Sequence, residues 1–351
     1  MRSNGQTPNN EAAVSNRSAD FAFPELGAAM IKAGFSAGPG EWPWHRQFPG
    51  GNPTWEDVEF IFDGDLSECD VVFLYGDTLA SQADGLTVKR AVFVASEPWT
   101  FKSYRSRFLA QFDRVLTTDP ECNHPHAIFS QPGLPWHVGV FREDGALRDQ
   151  PMPYEDFRTY SPEKTKLISV VASDKAMTRG HRNRLEFVDK LKQHFGSEID
   201  FYGRNVNGFG DKLEVLAEYR YHIAIENHVG PDYWTEKLSD PVLTLTYPIY
   251  AGCTNISDYF DKTSYTAIDM NDPDGAIATI RKVIDSDLAE RAQPALGKAR
   301  KAVLEEHNVF AVLAPIAKDA CTEPERPRIL LPERRFRRDL WRKIKSSFRT
   351  A

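Results

Sequence analysis

The clearest pattern along the chain is a series of short, nearly all-apolar runs, each closed by a polar residue or a glycine. DVVFLYG (Asp70–Gly76) is one, and the AVFVA core of KRAVFVASEPW (residues 89–99) is another. Runs of this kind predict strands buried on both faces, as in a parallel sheet. YRSRFLAQFDRVLTTDP (residues 104–120) predicts a helix followed by a third strand. Upstream, FPELGAAMIKAGF (residues 23–35) predicts a short helix stopped by glycine. Residues 1–20 are small and polar, and predict a flexible N-terminus.

Residues 138–165 are polar and rich in turn formers, and mark a domain boundary. The alternation then restarts. KLISVVAS, EIDFYGR, YHIAIEN, YPIYAG and SYTAID read as strands, while RGHRNRLEFVDKLKQHF, DKLEVLAEY, the start of DYWTEKLSDPVLTLT and DPDGAIATIRKVI read as helices. In the first of these helices Leu185, Val188, Leu191 and Phe195 share one side. Strand–helix alternation predicts an α/β fold whose second half is doubly wound. The expected partition is a flexible segment 1–20, an α/β domain over 21–150, a nucleotide-binding Rossmann-like domain over 151–320 and a tail over 321–351.

Composition narrows the class. The 351 residues are 41% hydrophobic, enough for more than one core. A formal net charge of −7 argues against a general polyanion binder. The four cysteines are far apart and form no CxxC pair, which fits a reducing compartment better than a disulfide scaffold. No signal-peptide-like core opens the chain and no run of 18 apolar residues occurs, so an intracellular protein is expected.

Candidate chemistry follows from the strand ends, because ligands of doubly wound sheets sit outside them. That rule selects Glu97, Gly203, Glu226 and the group from Tyr233 to Lys237. Glu236 and Lys237 open a helix, where free N–H groups and the helix dipole favour a phosphate. Lys237 adds a cation for that anion, Glu236 suits paired sugar hydroxyls, and Tyr233 offers a flat face or a phenol. The bland alternative is a solvated first turn. Arg179, Arg182 and Arg184 begin the helix after the first strand of the second half, and the fork of Arg182 suits a diphosphate. A solvated basic patch would look the same. Glu97 can take a proton from an attacking hydroxyl, or be an ordinary surface acid. No GxGxxG or Walker loop is present. Cys122, His124 and His126 make a poor zinc set, so no metal is expected.

YRYHIAIENHVGPDYWTEKLSD and YPIYAGCTNISDYF, preceded in order by LISVVAS, RNRLEFVDKL and IDFYGR, resemble the α-1,3/1,4-fucosyltransferase family, glycosyltransferase family 10. The resemblance is strong over residues 165–285 and weaker over 70–137, where VFVASEP is similar to an acidic segment of the family's acceptor domain. It implies a GT-B arrangement, two Rossmann-like domains facing across a cleft, with transfer of L-fucose from GDP-β-L-fucose, with inversion, to a hydroxyl of a GlcNAc- or glucose-type acceptor in α-1,3 linkage. It implies Arg182 and Lys237 on the diphosphate, Glu236 on ribose or fucose hydroxyls, and Tyr233, Asn227, Glu226 and Asn255 around the donor. Glu97 would be the base. No cofactor and no divalent metal would be needed if the two cations hold the diphosphate. Trp234 replaces the small aliphatic residue usual there, which leaves open another GDP-sugar donor; a non-catalytic nucleotide-sugar or glycan binder is a separate alternative.

The charge is unevenly spread. Residues 326–351 hold ten Arg or Lys and two acids. A helix from Glu333 would align Phe336, Leu340, Ile344 and Phe348, with Trp341 beside them, among basic residues. This predicts a helical tail that contacts an anionic membrane through residues 333–348, and places a lipid-linked glycan acceptor on the cytoplasmic face. A tail docked on the body, or a disordered basic arm, remains an alternative. Nucleic acid is not expected as a partner.

Overall fold

A computed structural model describes residues 30–38, 42–76, 85–172, 179–203 and 207–337; the side chains of residues 179–182 and 337 lie outside the description. The first lobe is built on a seven-stranded sheet in the order β2-β3-β1-β4-β6-β7-β8. Its strands are β1 (Ile31–Ala37), β2 (Thr54–Trp55), β3 (Val58–Ile61), β4 (Val71–Tyr75), β6 (Ala91–Val94), β7 (Arg114–Thr117) and β8 (Ala127–Phe129). All neighbours run parallel except β2 with β3. The runs at 70–76 and 90–95 are the buried central strands β4 and β6 that their composition predicts.

The helix expected over residues 23–35 is corrected by β1, since Ile31 onward is strand; residues 23–29 lie outside the description. The segment lies between β3 and β4, with Ala33 opposite Val71 and Phe35 opposite Phe73. There, sheet pairing and burial on both faces outweigh the helical preference of an alanine-rich stretch. A side chain at Gly34 would press on Cys69 Sγ and Leu66, at 3.2 and 3.3 Å.

The second lobe holds a fully parallel sheet, β10-β9-β11-β12-β13. Its strands are β9 (Lys166–Val171), β10 (Asp200–Tyr202), β11 (Tyr219–Gly230), β12 (Tyr247–Cys253) and β13 (Thr266–Ala267). Helix Arg179–Phe195 buries Phe187, Val188, Leu191 and Phe195 against this sheet, and helix Pro273–Ile284 adds Ala276, Ile280, Val283 and Ile284. Leu185 is only half-buried, and Phe187 takes the place in the core expected for it.

The connection between the lobes is clamped through its backbone. Buried Arg46 donates to the carbonyls of Trp136, Val138 and Met152 at 2.8, 2.6 and 2.8 Å. From the second lobe, Asp211 accepts from the amides of Gly139 and Phe141 at 2.9 and 2.7 Å, and Asp240 from that of His137 at 3.0 Å. Every one of these polar groups would otherwise be desolvated without a partner.

Helix Val309–Thr322 begins within the segment 151–320, yet it packs on the first sheet. Phe310 stacks on Phe48 at a centroid distance of 4.0 Å and meets Phe60 at 4.9 Å. After that helix, β14 (Arg328–Ile329) pairs antiparallel with β5 (Thr87–Val88), and Leu330 is fully buried. Helix Glu333–Arg337 follows, and Phe336 packs edge-on to Phe108 of the first lobe at 5.9 Å. Leu340, Trp341, Ile344 and Phe348 lie outside the described residues. Among the described residues, no helix is long and apolar enough to cross a membrane.

Candidate functional site

The site is built where β11 meets helix Glu236–Leu243. The strand carries its apolar run into the core as far as Ile225 and then places Glu226 at its carboxyl end, 1% exposed. Parallel pairing with β12 breaks register between Ile225 and Gly230, which frees residues 226–229 from the ladder. Thr235 then caps the helix: its hydroxyl oxygen accepts from the Lys237 amide at 3.2 Å. Its own amide donates to Glu226 Oε1 at 2.8 Å and its hydroxyl to Glu226 Oε2 at 2.9 Å. The buried carboxylate therefore holds the first turn of the helix in place, at the end where the dipole welcomes a negative charge.

Charges are paired around this corner. Lys237 Nζ lies 3.0 Å from Glu236 Oε1 and 3.7 Å from Glu226 Oε2. Lys212 Nζ reaches Glu236 Oε1 at 3.5 Å and Asp240 Oδ2 at 2.8 Å. Burial pushes the Glu226 carboxyl up, with Lys237 opposing. Burial also works against ionised Glu236, but Lys237, Lys212 and His137 outweigh it and hold that carboxyl well below its usual range. Lys237, desolvated but facing Glu236 and Glu226, is pushed up to about 12. The corner thus sets three carboxyl groups, Glu226, Glu236 and Asp240, against the ammonium groups of Lys237 and Lys212.

Next to it lies a cavity of about 240 Å³, lined by Arg184, Lys212, Asn227, Glu236 and Lys237 among others. Arg184 Nη1 donates to Asn227 Oδ1, and the guanidinium is 3% exposed at the residue level. A larger cavity of about 440 Å³ opens on the far side of Glu226 and Asn227, against the ends of β12 and β13. Asn227 borders both.

The structure brings together Glu226, Asn227, Glu236 and Lys237, with Tyr233 beside them. Tyr233 is buried, and desolvation with the charges of Glu226, Glu97 and Glu236 drives its hydroxyl well up. Glu97, exposed on the loop after β6 of the other lobe, is therefore within electrostatic reach of Tyr233. Arg182 lies in helix Arg179–Phe195, but its side chain is outside the description. Gly203 has φ of +143°, and a Cβ there would collide with the carbonyl oxygen of Ala172; it lets the ends of β9 and β10 approach. Asn255 has a bracing position. Its amide accepts from Asp232 N and donates to Asp232 Oδ1, both at 2.8 Å, holding a turn in which Asp232 has φ of +59°. Asn255 does not border either cavity.

Sequence reading missed Lys212, Asp240 and His137, which share no pattern with the 226–237 stretch. It named Arg184 only as a neighbour of Arg182. Among the described residues no cluster of three or more His, Cys, Asp or Glu has the geometry of a metal site.

Comparison with known proteins adds a family. Residues 161–290 match the model for glycosyltransferase family 10 (fucosyltransferase), C-terminal part. A fucosyltransferase-like protein of Arabidopsis thaliana is 27% identical over 224 residues, covering 58% of this chain and 38% of its own length. An alpha-(1,3)-fucosyltransferase B of Drosophila melanogaster is 38% identical over 77 residues, covering 21% of this chain and 17% of its own. The chain thus spans well under half the length of these curated relatives. The crystal structure of an alpha1,3-fucosyltransferase with GDP is 17% identical, covers 86% of this chain and 94% of its own, and superposes with a TM-score of 0.47. The matched segment contains Arg182, Gly203, Glu226, Asn227, Tyr233, Glu236, Lys237 and Asn255, and over it the chain is similar to glycosyltransferase family 10.

Proposed function

We propose that the protein is an inverting glycosyltransferase of GT-B type that moves L-fucose from GDP-β-L-fucose to a hydroxyl of a glycan acceptor. The observation that carries this reading is the corner at Glu226–Lys237. A capped helix N-terminus, Lys237 and Arg184 converge on one cavity beyond a parallel strand, with acids able to accept sugar hydroxyls beside them. Such a corner suits a diphosphate bearing sugars on either side.

In this reading Lys237 and Arg182 hold the diphosphate, Arg184 lines the same cavity as Lys237, and Glu236 takes ribose or fucose hydroxyls. Occupation of the site by the diphosphate would draw Lys237 away from Glu236. The acceptor oxygen attacks the anomeric carbon from the face opposite the diphosphate. The carbon–oxygen bond to the phosphate breaks as the new one forms, and the configuration inverts. Glu97 takes the acceptor proton. The cations offset charge growing on the departing GDP. No divalent ion has a task in this scheme. We further place the acceptor among glycans or lipid-linked glycans. Residues 333–348 would contact an anionic membrane on its cytoplasmic face, with Phe336 already engaged by the body.

The test is a panel of GDP- and UDP-sugars with glycan acceptors, read by product mass. A fucose increment from GDP-fucose supports the reading. Transfer from another GDP-sugar alone would redirect the donor assignment. GDP binding without turnover of any donor would leave a binding protein and overturn it.

A further inference from the structure

The loop that carries Glu97 is fastened to the opposite lobe at His228. That histidine lies two positions beyond Glu226 on β11 and is 6% exposed. Its Nδ1 is 2.9 Å from Thr100 Oγ1 of the first lobe. Its Nε2 is buried and has no hydrogen-bond partner among the described residues, so the link to Thr100 is the ring's one polar satisfaction. The ring is also wedged between aromatics of both lobes. Trp99 packs edge-on at 5.4 Å from one side, and Tyr233 at 5.7 Å from the other. Gly230 leaves room for it, since a Cβ there would lie 2.5 Å from Nε2.

The loop itself is a closed turn. Phe101 and Lys102 both donate their amides to the Pro98 carbonyl, at 2.8 and 3.0 Å. What fixes Thr100 therefore fixes Glu97 three residues before it. A buried imidazole with a single partner strongly favours the geometry that keeps that partner, because losing it strands a desolvated polar group.

We infer that His228 is a positioning residue: through Thr100 and Trp99 it holds the turn bearing Glu97 against the lobe that carries Glu226, Tyr233 and Lys237. The inference rests on the proposed transferase reading for its catalytic consequence, and on the contacts alone for its structural one. Misplacing a catalytic group by even an ångström is expensive in rate, while the cation pair that would hold the nucleotide lies elsewhere. His228 thus acts on the chemical step and not on donor affinity.

The experiment compares His228→Ala, Thr100→Val, the double variant and His228→Asn, whose side-chain amide reaches the position of Nδ1. In the full chain, both single changes are expected to lower kcat by about tenfold or more, as displacement of a catalytic group does, with GDP affinity by calorimetry within about twofold of wild type. The double variant should be no worse than the worse single one. His228→Asn should recover most of the rate. Hydrogen exchange at Phe101 and Lys102 should quicken in His228→Ala and stay slow in His228→Asn. Unchanged exchange and unchanged kcat would overturn the inference, as would additive effects or an equal loss of GDP affinity. A wild-type protein that turns over no donor would instead defeat the proposed activity, and the exchange measurement would still decide the role of His228.

Discussion

The two lobes contribute to the site in different ways. The second lobe supplies a corner whose members are neighbours in sequence: Glu226, Tyr233, Thr235, Glu236 and Lys237 all lie within one strand–loop–helix unit. The strand end, the cap and the salt links fix one another, with Lys212 reaching Glu236 from outside the unit. The first lobe supplies one acid on an exposed turn, held by contacts to the other lobe. Both cores mix aromatic rings with buried polar groups: the first lobe buries Gln47 and Gln131 beside its rings, and the second buries Ser169, His222 and Glu226. The proposed recognition chemistry is therefore local and heavily cross-braced, while the proposed catalytic base depends on how the lobes meet.

The sharpest way to break this contrast is Glu97→Gln. Loss of a general base is expected to cost about 10²–10⁴ in kcat, with GDP affinity unchanged. Steady-state transfer rates and calorimetry would read both. Full transfer in the variant would leave the first lobe without the assigned chemical role. Next in size, Phe310→Ala should cost about 3–5 kcal/mol in chemical denaturation, the usual range for deleting a buried ring. Phe310 arrives from beyond the second lobe yet fills the first lobe's core, so this change tests whether helix Val309–Thr322 belongs energetically to that core. A loss below about 1 kcal/mol, the range of ordinary surface changes, would say that it does not.

The same contrast explains what the sequence disclosed. HIAIEN followed by TEK exposes a strand end, a cap and a charge pair in a few consecutive residues, so the donor-side corner is legible there. The strands β4, β6, β9, β11 and β12 are legible because their apolar runs leave few alternatives. Lys212, Asp240, His137 and Asp211 join the corner or the connection only through folding, and nothing in DKLEVL distinguishes Lys212 from a solvated lysine. The lobe assignment of helix Val309–Thr322 was hidden for a similar reason: an apolar face predicts burial but not against which sheet. In β1, an alanine- and glycine-containing stretch reads as helix by propensity, and only its partners Val71 and Phe73 make it a strand. His228 carried no signal at all, because its partner lies in the other lobe.

A smaller effect sharpens the donor side. Lys237→Ala should weaken GDP binding by about 10–100-fold, the equivalent of one charge-assisted hydrogen bond. Calorimetry at constant salt would measure it. The variant also removes the cation facing Glu226 and Glu236, so its thermal stability should be recorded alongside. An unchanged dissociation constant would show that Lys237 serves only to balance those acids.

The smallest expected effect concerns the polar core of the second lobe and appears with pH. Ser169 donates its hydroxyl to the Val215 carbonyl at 2.6 Å, so its oxygen accepts from His222 Nδ1, 2.8 Å away, and the imidazole is neutral with its proton on Nδ1. Burial, helped by Lys212, pushes the His222 ring down to about 3. An unfolded histidine takes up a proton near pH 6.5. Between those two values the unfolded chain binds a proton that the folded one refuses. Stability from this group is thus complete above about pH 6.5 and falls as pH drops toward 3, by at most about 1.4 kcal/mol per pH unit. His222→Asn, which keeps a donor near Ser169 but cannot titrate, should flatten that part of the profile. Urea denaturation at pH 7, 6 and 5 would compare the two slopes. Parallel slopes would mean that the ring charges inside the fold, and that the second lobe's core is wetter than its packing implies.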